Sequence, residues 1–456
     1  MSGTPRDDDR AVTGPTARRL RALLAREQSG RRLPSLVAGV VRDDALVWTG
    51  EYGAGTGTVP PSPDLQYRIG SITKTMTAAL VMQLRDEGLL DLADPLSAHL
   101  PGVGYADRTI RSLLTHSSGM QSEPAGSWWE RSPGVPFEEL AAGIDEKRAA
   151  HPVGATYHYT NLAFGLLGEL VARHRGGSWW DAVRQRLLEP LGMTRTTYLP
   201  LPPAATGYSV HHFAGTLTAE PAHDAGAMAP AGQVWSTVAD LAVWARFLRD
   251  GAPGVLAPAT VQEMTTPQSG SAAEGLAGAY GLGLRLVPGG SGTLFGHTGS
   301  MPGFLAGLLV DRPRRTAAVV LANATTGLRC EGLPVDLLDT LEELEPSLPV
   351  PWEAAPAVSA QAEEILGVWH WGNTALGFSW TGTDVVVSSL TDGRVSYRFV
   401  PDGDGFVGTV GYHHGERLHV VRNDDGSVNH LVCATFVYTR TPYDPAAPIP
   451  GGHPQP

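Results

Sequence analysis

The sequence predicts an α+β fold: an antiparallel sheet flanked by helices with a mostly helical subdomain, followed by a small C-terminal all-β barrel. Three observations carry this. Strand-like runs open and close the first three quarters of the chain, while helical patterns and Pro/Gly-rich loops fill its middle. That is the order expected when both ends of a domain build one sheet. A Pro- and Ala-rich stretch at 346–360 reads as a linker. Beyond it, short runs of Trp, Phe, Val, Tyr and Thr are broken by Gly382, Asp392-Gly393, Asp402-Gly403 and Asp424-Asp425-Gly426. Such regularly spaced turn signals indicate hairpins closing on one another.

The elements follow in order. Residues 1–14 are polar and expected to be disordered, as is the tail at 446–456. Thr16–Gln28 has helical spacing, with Leu20, Leu23 and Leu24 on one side. Strands are expected at Ser35–Arg42 and Ala45–Thr49, split by the turn residues Asp43 and Asp44. An apolar helix starts at Ser71 and runs to about Leu84, a second covers Leu162–His174, and Thr237–Arg249 has Leu241, Trp244, Ala245 and Leu248 on one face. Later strands are expected at Gly281–Val287, Phe304–Val310 and Thr316–Ala322. The domains are therefore placed at 15–345 and 361–445.

The chain has 456 residues, too many for a single compact core, and its 42% hydrophobic and 18% charged content is that of a globular protein. A net charge of −12 argues against nucleic acid and anionic membranes as partners. The N-terminus lacks the apolar segment of a secretory signal, and no run of about 18 apolar residues occurs elsewhere. A cytoplasmic location is the expectation. Cys330 and Cys433, outside any CxxC pattern, are expected as buried free thiols.

Of the 34 basic residues only Lys74 and Lys147 are lysines. A chain that uses arginine wherever positive charge suffices retains lysine where a titrating amine is needed. Lys147 lies among Asp145, Glu146 and Arg148, an exposed setting. Lys74 follows Ser71 by three residues at the start of an apolar helix, so the two share a face. A desolvated lysine loses proton affinity and can accept a proton as the serine attacks. Tyr159-Thr160-Asn161 lies just before the second helix. Tyr159 is a phenol or phenolate suited to shuttling protons, with Tyr157 its competitor; Asn161 either caps the helix or holds the lysine or a substrate amide. His297-Thr298-Gly299 sits in the Gly-interrupted stretch Leu294–Phe304, where glycine marks close approach of a backbone or ligand. The pairs His211-His212 and His413-His414, and His223, lack metal-ligand spacing and read as loop or polar surface; His116 reads as a loop tie. No metal and no cofactor is implied.

In this order, SxxK at Ser71, YxN at Tyr159 and HTG at His297 resemble the three motifs of the serine β-lactamase and penicillin-binding-protein superfamily. The tyrosine of the second motif points to the branch of class C β-lactamases, DD-peptidases, D-aminopeptidases and related esterases. LLTHSSG at 113–119, STVADL at 236–241 and GSMPGF at 299–304 resemble the same branch. The resemblance implies a β-lactamase/transpeptidase-like catalytic domain with Ser71 as nucleophile, Lys74 as base and Tyr159 as acid/base for the leaving group. It implies Asn161, His297, Thr298 and Gly299 as substrate-orienting groups, and the backbone N–H groups of Ser71 and Ser300 as oxyanion hole. His297 departs from the lysine usual in the third motif, which removes a fixed cation and favours esters, thioesters or D-residue peptides over β-lactams. The C-terminal segment resembles lipocalin-like domains appended to some members.

The function expected is that of a serine hydrolase or acyltransferase acting on a small-molecule or peptide acyl substrate. A narrower possibility is a stand-alone thioesterase that cyclises nonribosomal peptides from a carrier-protein thioester, with Arg440 of the tail helping to place the peptide. A third is a β-lactam-binding sensor that acylates without turnover.

Overall fold

The computed structural model describes residues 11–53, 60–270, 278–348, 351–355, 357–444, 446 and 448. Most of the residues expected to be disordered at either end lie outside these, although Gly14 already belongs to a helix. The chain divides into two units, Met1–Ser347 and Leu348–Pro456.

The first unit is built on a seven-stranded antiparallel sheet. Its strands are β1 (Leu36–Arg42), β2 (Ala45–Tyr52), β3 (Ala279–Tyr280), β4 (Arg285–Gly289), β5 (Gly292–Met301), β6 (Phe304–Asp311) and β7 (Thr316–Ala322). They lie in the order β2-β1-β7-β6-β5-β4-β3, so the first hairpin of the chain joins the last three strands directly. The run expected as one strand at Gly281–Val287 is instead the end of a β3–β4 hairpin, broken by Gly283 with φ +76°. The glycine-rich stretch before Phe304 is a full strand, β5, paired with β6 from Phe295 to Met301.

Both faces of the sheet are covered, which is why β7 reads as an unbroken apolar run. Ala317, Val319 and Leu321 join one core with the helical subdomain, while Ala318, Val320 and Ala322 join another. Side chains of a strand alternate between faces, so double coverage removes the polar half of the pattern. The second core is closed by helix α1 (Gly14–Arg31) through Leu20 and Leu24, and by the last helix of the unit, Gly332–Leu344, through Leu333, Leu337 and Leu341. In the first core lie α2 (Thr73–Asp86), α3 (Asn161–Arg175) and α4 (Val238–Asp250), whose inward side chains include Leu241, Trp244 and Leu248. At about 25 cal/mol per Å² of apolar surface, each such buried side chain contributes about 1.5–3 kcal/mol.

The second unit is a closed eight-stranded antiparallel barrel running from Gly367–Trp371 to Phe436–Thr439, and pairing of His370 with Thr439 seals it. Its interior is filled by Trp369, Leu376, Phe378, Val385, Phe399, Phe406, Leu418 and Leu431, among others. At eight strands a barrel is just wide enough for side chains to fill it. His413 belongs to this interior. It lies in the turn between Gly405–Val410 and Arg417–Arg422, a loop position as expected, yet is fully buried with Nε2 2.7 Å from the Tyr438 hydroxyl, while His414 is exposed. Arg440 is exposed as well. Its guanidinium lies 3.8 Å over the Trp369 ring and donates to the carbonyls of Glu364, Leu366 and Val368. Both cysteines are free thiols, Cys433 buried and Cys330 half-buried.

Candidate active site

Ser71 sits in a single 3-10 turn, Gly70–Ile72, that leads straight into α2. The turn is wedged against β5. Gly70 has φ +52°, and a Cβ there would lie 2.5 Å from the Ser300 nitrogen; a Cβ on Gly299 would lie 1.9 Å from the Ile69 carbonyl oxygen. Only glycine at both positions lets the strand approach this closely. The consequence is that the Ser71 turn lies directly against the backbone of Ser300.

One turn into the helix, Lys74 is fully buried. Its Nζ lies 2.8 Å from Ser71 Oγ and donates to the Ala231 carbonyl at 2.7 Å. The rings of Tyr159 and Phe164 stand 5.0 and 5.6 Å from the same nitrogen. Burial pulls the ammonium down from 10.5 to about 7, against the opposing pull of Glu123 and Glu130. Half of the Lys74 side chains are then neutral near pH 7.

Tyr159, not Tyr157, reaches the serine. Burial raises its proton affinity well above the ordinary range, and a hydrogen bond with Ser71 opposes this only in part. The group is a phenol at neutral pH, so the phenolate alternative falls away. Tyr157 packs instead against Tyr280 and His116, at 5.8 Å from each.

Asn161 does not cap α3. Thr160 is the N-cap, its hydroxyl accepting from the Ala163 N–H. This leaves the Asn161 amide to donate to Glu123 Oε1 at 2.6 Å, while Trp129 donates to the other oxygen at 2.7 Å. Threonine one position earlier satisfies the helix end with a hydroxyl, freeing the longer amide for the site.

His297 is buried, 3% exposed. Its Nδ1 is 2.5 Å from the Thr298 carbonyl and must carry the proton, since a carbonyl only accepts; Nε2 then accepts from the Tyr280 hydroxyl at 2.9 Å. Burial and the Lys74 charge push its pKa down to about 3. The third-motif position is thus occupied by a neutral group throughout the physiological range.

Three members of the site had no signature in the sequence. Glu123 is an isolated carboxylate in a loop, Tyr280 a lone aromatic in a short strand, and Ala231 contributes only a carbonyl. A cavity of about 1050 Å³, walled by Trp179, Trp180, Tyr198, Met193 and Pro230, is lined by none of Ser71, Lys74 and Tyr159. Among the described residues no three His, Cys, Asp or Glu side chains gather as metal ligands, and no helix is long and apolar enough to cross a membrane.

Comparison with known proteins agrees with this geometry. The β-lactamase family model matches residues 18–338, and a domain of unknown function (DUF7586) matches residues 358–440. Penicillin-binding protein 4 of Amycolatopsis lactamdurans is 31% identical over 60% of this chain and 76% of its own length. The D-alanyl-D-alanine-carboxypeptidase/endopeptidase AmpH of Escherichia coli K12 is 30% identical over 41% of this chain and 49% of its own. The chain spans about half the length of AmpH and of the human putative beta-lactamase-like 1, 29% identical over 54% of this chain and 52% of its own. Among solved structures, the octameric penicillin-binding protein homologue from Pyrococcus abyssi covers 92% of this chain and 99% of its own, with TM-score 0.64 at 22% identity, a likeness of fold. SurE covers 94% of this chain and 99% of its own at 27% identity, with TM-score 0.59. A D-stereospecific amidohydrolase from Streptomyces covers 73% and 98% at 28% identity, with TM-score 0.58. A family model spanning most of the chain, over the same residues that assemble Ser71, Lys74, Tyr159 and His297, places this protein in the β-lactamase family.

Proposed function

We propose that this protein is a serine hydrolase that forms an acyl ester on Ser71 and acts on D-residue amides, short D-residue peptides or simple esters. The observation that carries the reading is the buried Lys74 amine, 2.8 Å from Ser71 Oγ with its proton affinity lowered to about 7. In the neutral form Lys74 donates to Ala231 and offers its lone pair to the serine hydroxyl. As Oγ attacks the substrate carbonyl, the hydroxyl proton passes to Nζ. The carbonyl oxygen gains the electron pair and is met by the N–H groups of Ser71 and Ser300; one such donor is worth about a hundred- to a thousandfold in rate. Tyr159 gives its phenolic proton to the leaving amine or alkoxide and recovers one from the Lys74 ammonium. Water repeats the sequence in reverse to free the acid.

Electrostatics favour the substrate class. Glu123 stands at Asn161 and Glu130 acts on Lys74 from nearby, while His297 supplies no positive charge. These carboxylates favour a substrate ammonium, the positive charges acting on the site being those of Lys74 and Arg285. The similarity to a D-stereospecific amidohydrolase, and to SurE, also solved with D-Leu, agrees with a free D-amino acid moiety. The test is hydrolysis of D-aminoacyl p-nitroanilides beside their L-forms and N-acetylated forms, with intact-mass detection of fluorophosphonate labelling. Labelling in Ser71→Ala, or a preference for L- or N-blocked substrates, overturns the corresponding half of the proposal.

A second reading rests on the appended barrel. If a peptide's own amine rather than water resolved the ester, the product would be a macrolactam, one water lighter than the hydrolysed acid. Incubation with a peptidyl thioester and mass measurement of the product separates the two.

A further inference from the structure

We infer that His116 is the positioning residue that holds the Tyr159 phenol over Lys74 and Ser71. This rests on the acyl-enzyme reading above. Residues 157–160 have no regular secondary structure, so no ladder or helix fixes the Tyr159 ring. His116 grips the backbone on both sides of it. The His116 carbonyl accepts from the His158 N–H at 2.7 Å, and its Nδ1 accepts from the Thr160 N–H at 3.1 Å. Between these two anchors the His116 ring lies against the Tyr159 ring, with centroids 4.2 Å apart. The opposite wall is shared as well, since the same imidazole packs 4.6 Å from Tyr280, the residue that hydrogen-bonds His297. One buried ring therefore spans the second and third motifs.

The structure carries this arrangement at a cost that a loop tie does not need. His116 has φ +54°, a left-handed conformation uncommon for residues other than glycine, although histidine adopts it more readily than most. With Nδ1 accepting a backbone N–H, the ring proton is on Nε2, and among the described residues that buried N–H has no hydrogen-bond partner. The neighbouring loops are already joined by backbone bonds. Gly119 O accepts from Ala150 and His151, and Ser117 O accepts from Gly154. What the imidazole adds is the fixed placement of the aromatic ring beside it. Strain and unpaired polar groups of this kind persist where surrounding packing enforces them, and they cluster at functional sites.

The test is a double-mutant cycle in the full chain, reading kcat and KM for an uncharged p-nitrophenyl ester. His116→Phe keeps a ring but loses the Thr160 anchor. It is expected to cut kcat by about tenfold to a hundredfold with KM changed less than about twofold. In a Tyr159→Phe background, where the phenol is already gone, the same change is expected to cost less than about twofold. His116→Asn places an amide oxygen where Nδ1 stood and tolerates positive φ, so it is expected to recover most of the loss. If His116→Phe does not fold, the same cycle run with His116→Ala, which keeps neither ring nor acceptor, takes its place. An equal fractional loss in both backgrounds, or an unchanged kcat, overturns the inference and leaves His116 a packing residue. Fluorophosphonate labelling of the parent chain, absent in Ser71→Ala, reports on the acyl-enzyme reading independently of this cycle.

Discussion

Lys74→Met should make the protein more stable while abolishing its activity, and the gain should depend on pH in a defined way. In the unfolded chain Lys74 holds its proton up to about 10.5. In the native fold burial lowers that value to about 7. Between these limits the unfolded state binds the extra proton, so native stability rises with pH across the window, and the penalty is fully present below about 7. At about 1.4 kcal/mol per pKa unit, the penalty amounts to about 5 kcal/mol. Methionine matches the lysine stem in length and carries no charge, so it removes this term. It also strips the Ala231 carbonyl of its donor, which costs about 1–3 kcal/mol. The net expectation is a gain of about 2–4 kcal/mol at pH 6–7 that vanishes, or turns into a small loss, near pH 10. With about 2 cal/mol/K of unfolding entropy per residue over the 347-residue first unit, 1 kcal/mol corresponds to about 1.4 °C. The shift in calorimetric midpoint is then about 3–6 °C at pH 6.5. A difference between Lys74→Met and parent that stays flat from pH 6 to 10 would refute a lysine buried at the expense of stability.

Four further outcomes are expected. The pH profile of kcat/KM for an uncharged ester should fall tenfold per unit below about pH 7, because protonated Lys74 cannot act as base; a profile level down to pH 5 would remove it from that role. Lys74→Arg should be as inactive as Lys74→Met, since a guanidinium stays charged, and near-normal turnover in it would show that charge alone suffices. Tyr159→Phe should lower kcat by about a hundred- to ten-thousandfold while Tyr157→Phe changes it less than about fivefold, and the reverse ranking would move the proton shuttle two residues. Benzylpenicillin should be hydrolysed at least about tenfold less efficiently than p-nitrophenyl butyrate, given the neutral His297 and the nearby carboxylates; comparable efficiencies would contradict that electrostatic picture.

Several features of this protein are decided within the sequence. Ser71 and Lys74 are three residues apart on one helix, so their meeting needs only helical geometry. The burial of β1 and β7 on both faces likewise follows from their unbroken apolar runs and from coverage by helices on each side. Turn residues spaced along 382–426 suffice to announce the barrel. Tertiary structure alone decided the rest, because the deciding partners are remote in sequence or belong to the backbone. The proton affinity of Lys74 depends on how completely α3, the Ala231 segment and the Tyr159 ring exclude water from it. The role of Asn161 turned on whether Thr160 or Asn161 capped the helix, and both residue types make good caps. His297 becomes a neutral group because burial and the Lys74 charge disfavour its protonation, and Tyr280, from the neighbouring hairpin, occupies its second nitrogen. His413 is buried among Tyr397, Phe399 and Tyr438, aromatic residues that strand pairing brings beside it, while Arg440 stays exposed and lies over Trp369. A sequence displays which groups can do chemistry, but desolvation and hydrogen-bond partnership are set by what packs around them, and in this fold those neighbours come from other segments, from 17 residues away for Tyr280 and His297 to 157 for Ala231 and Lys74.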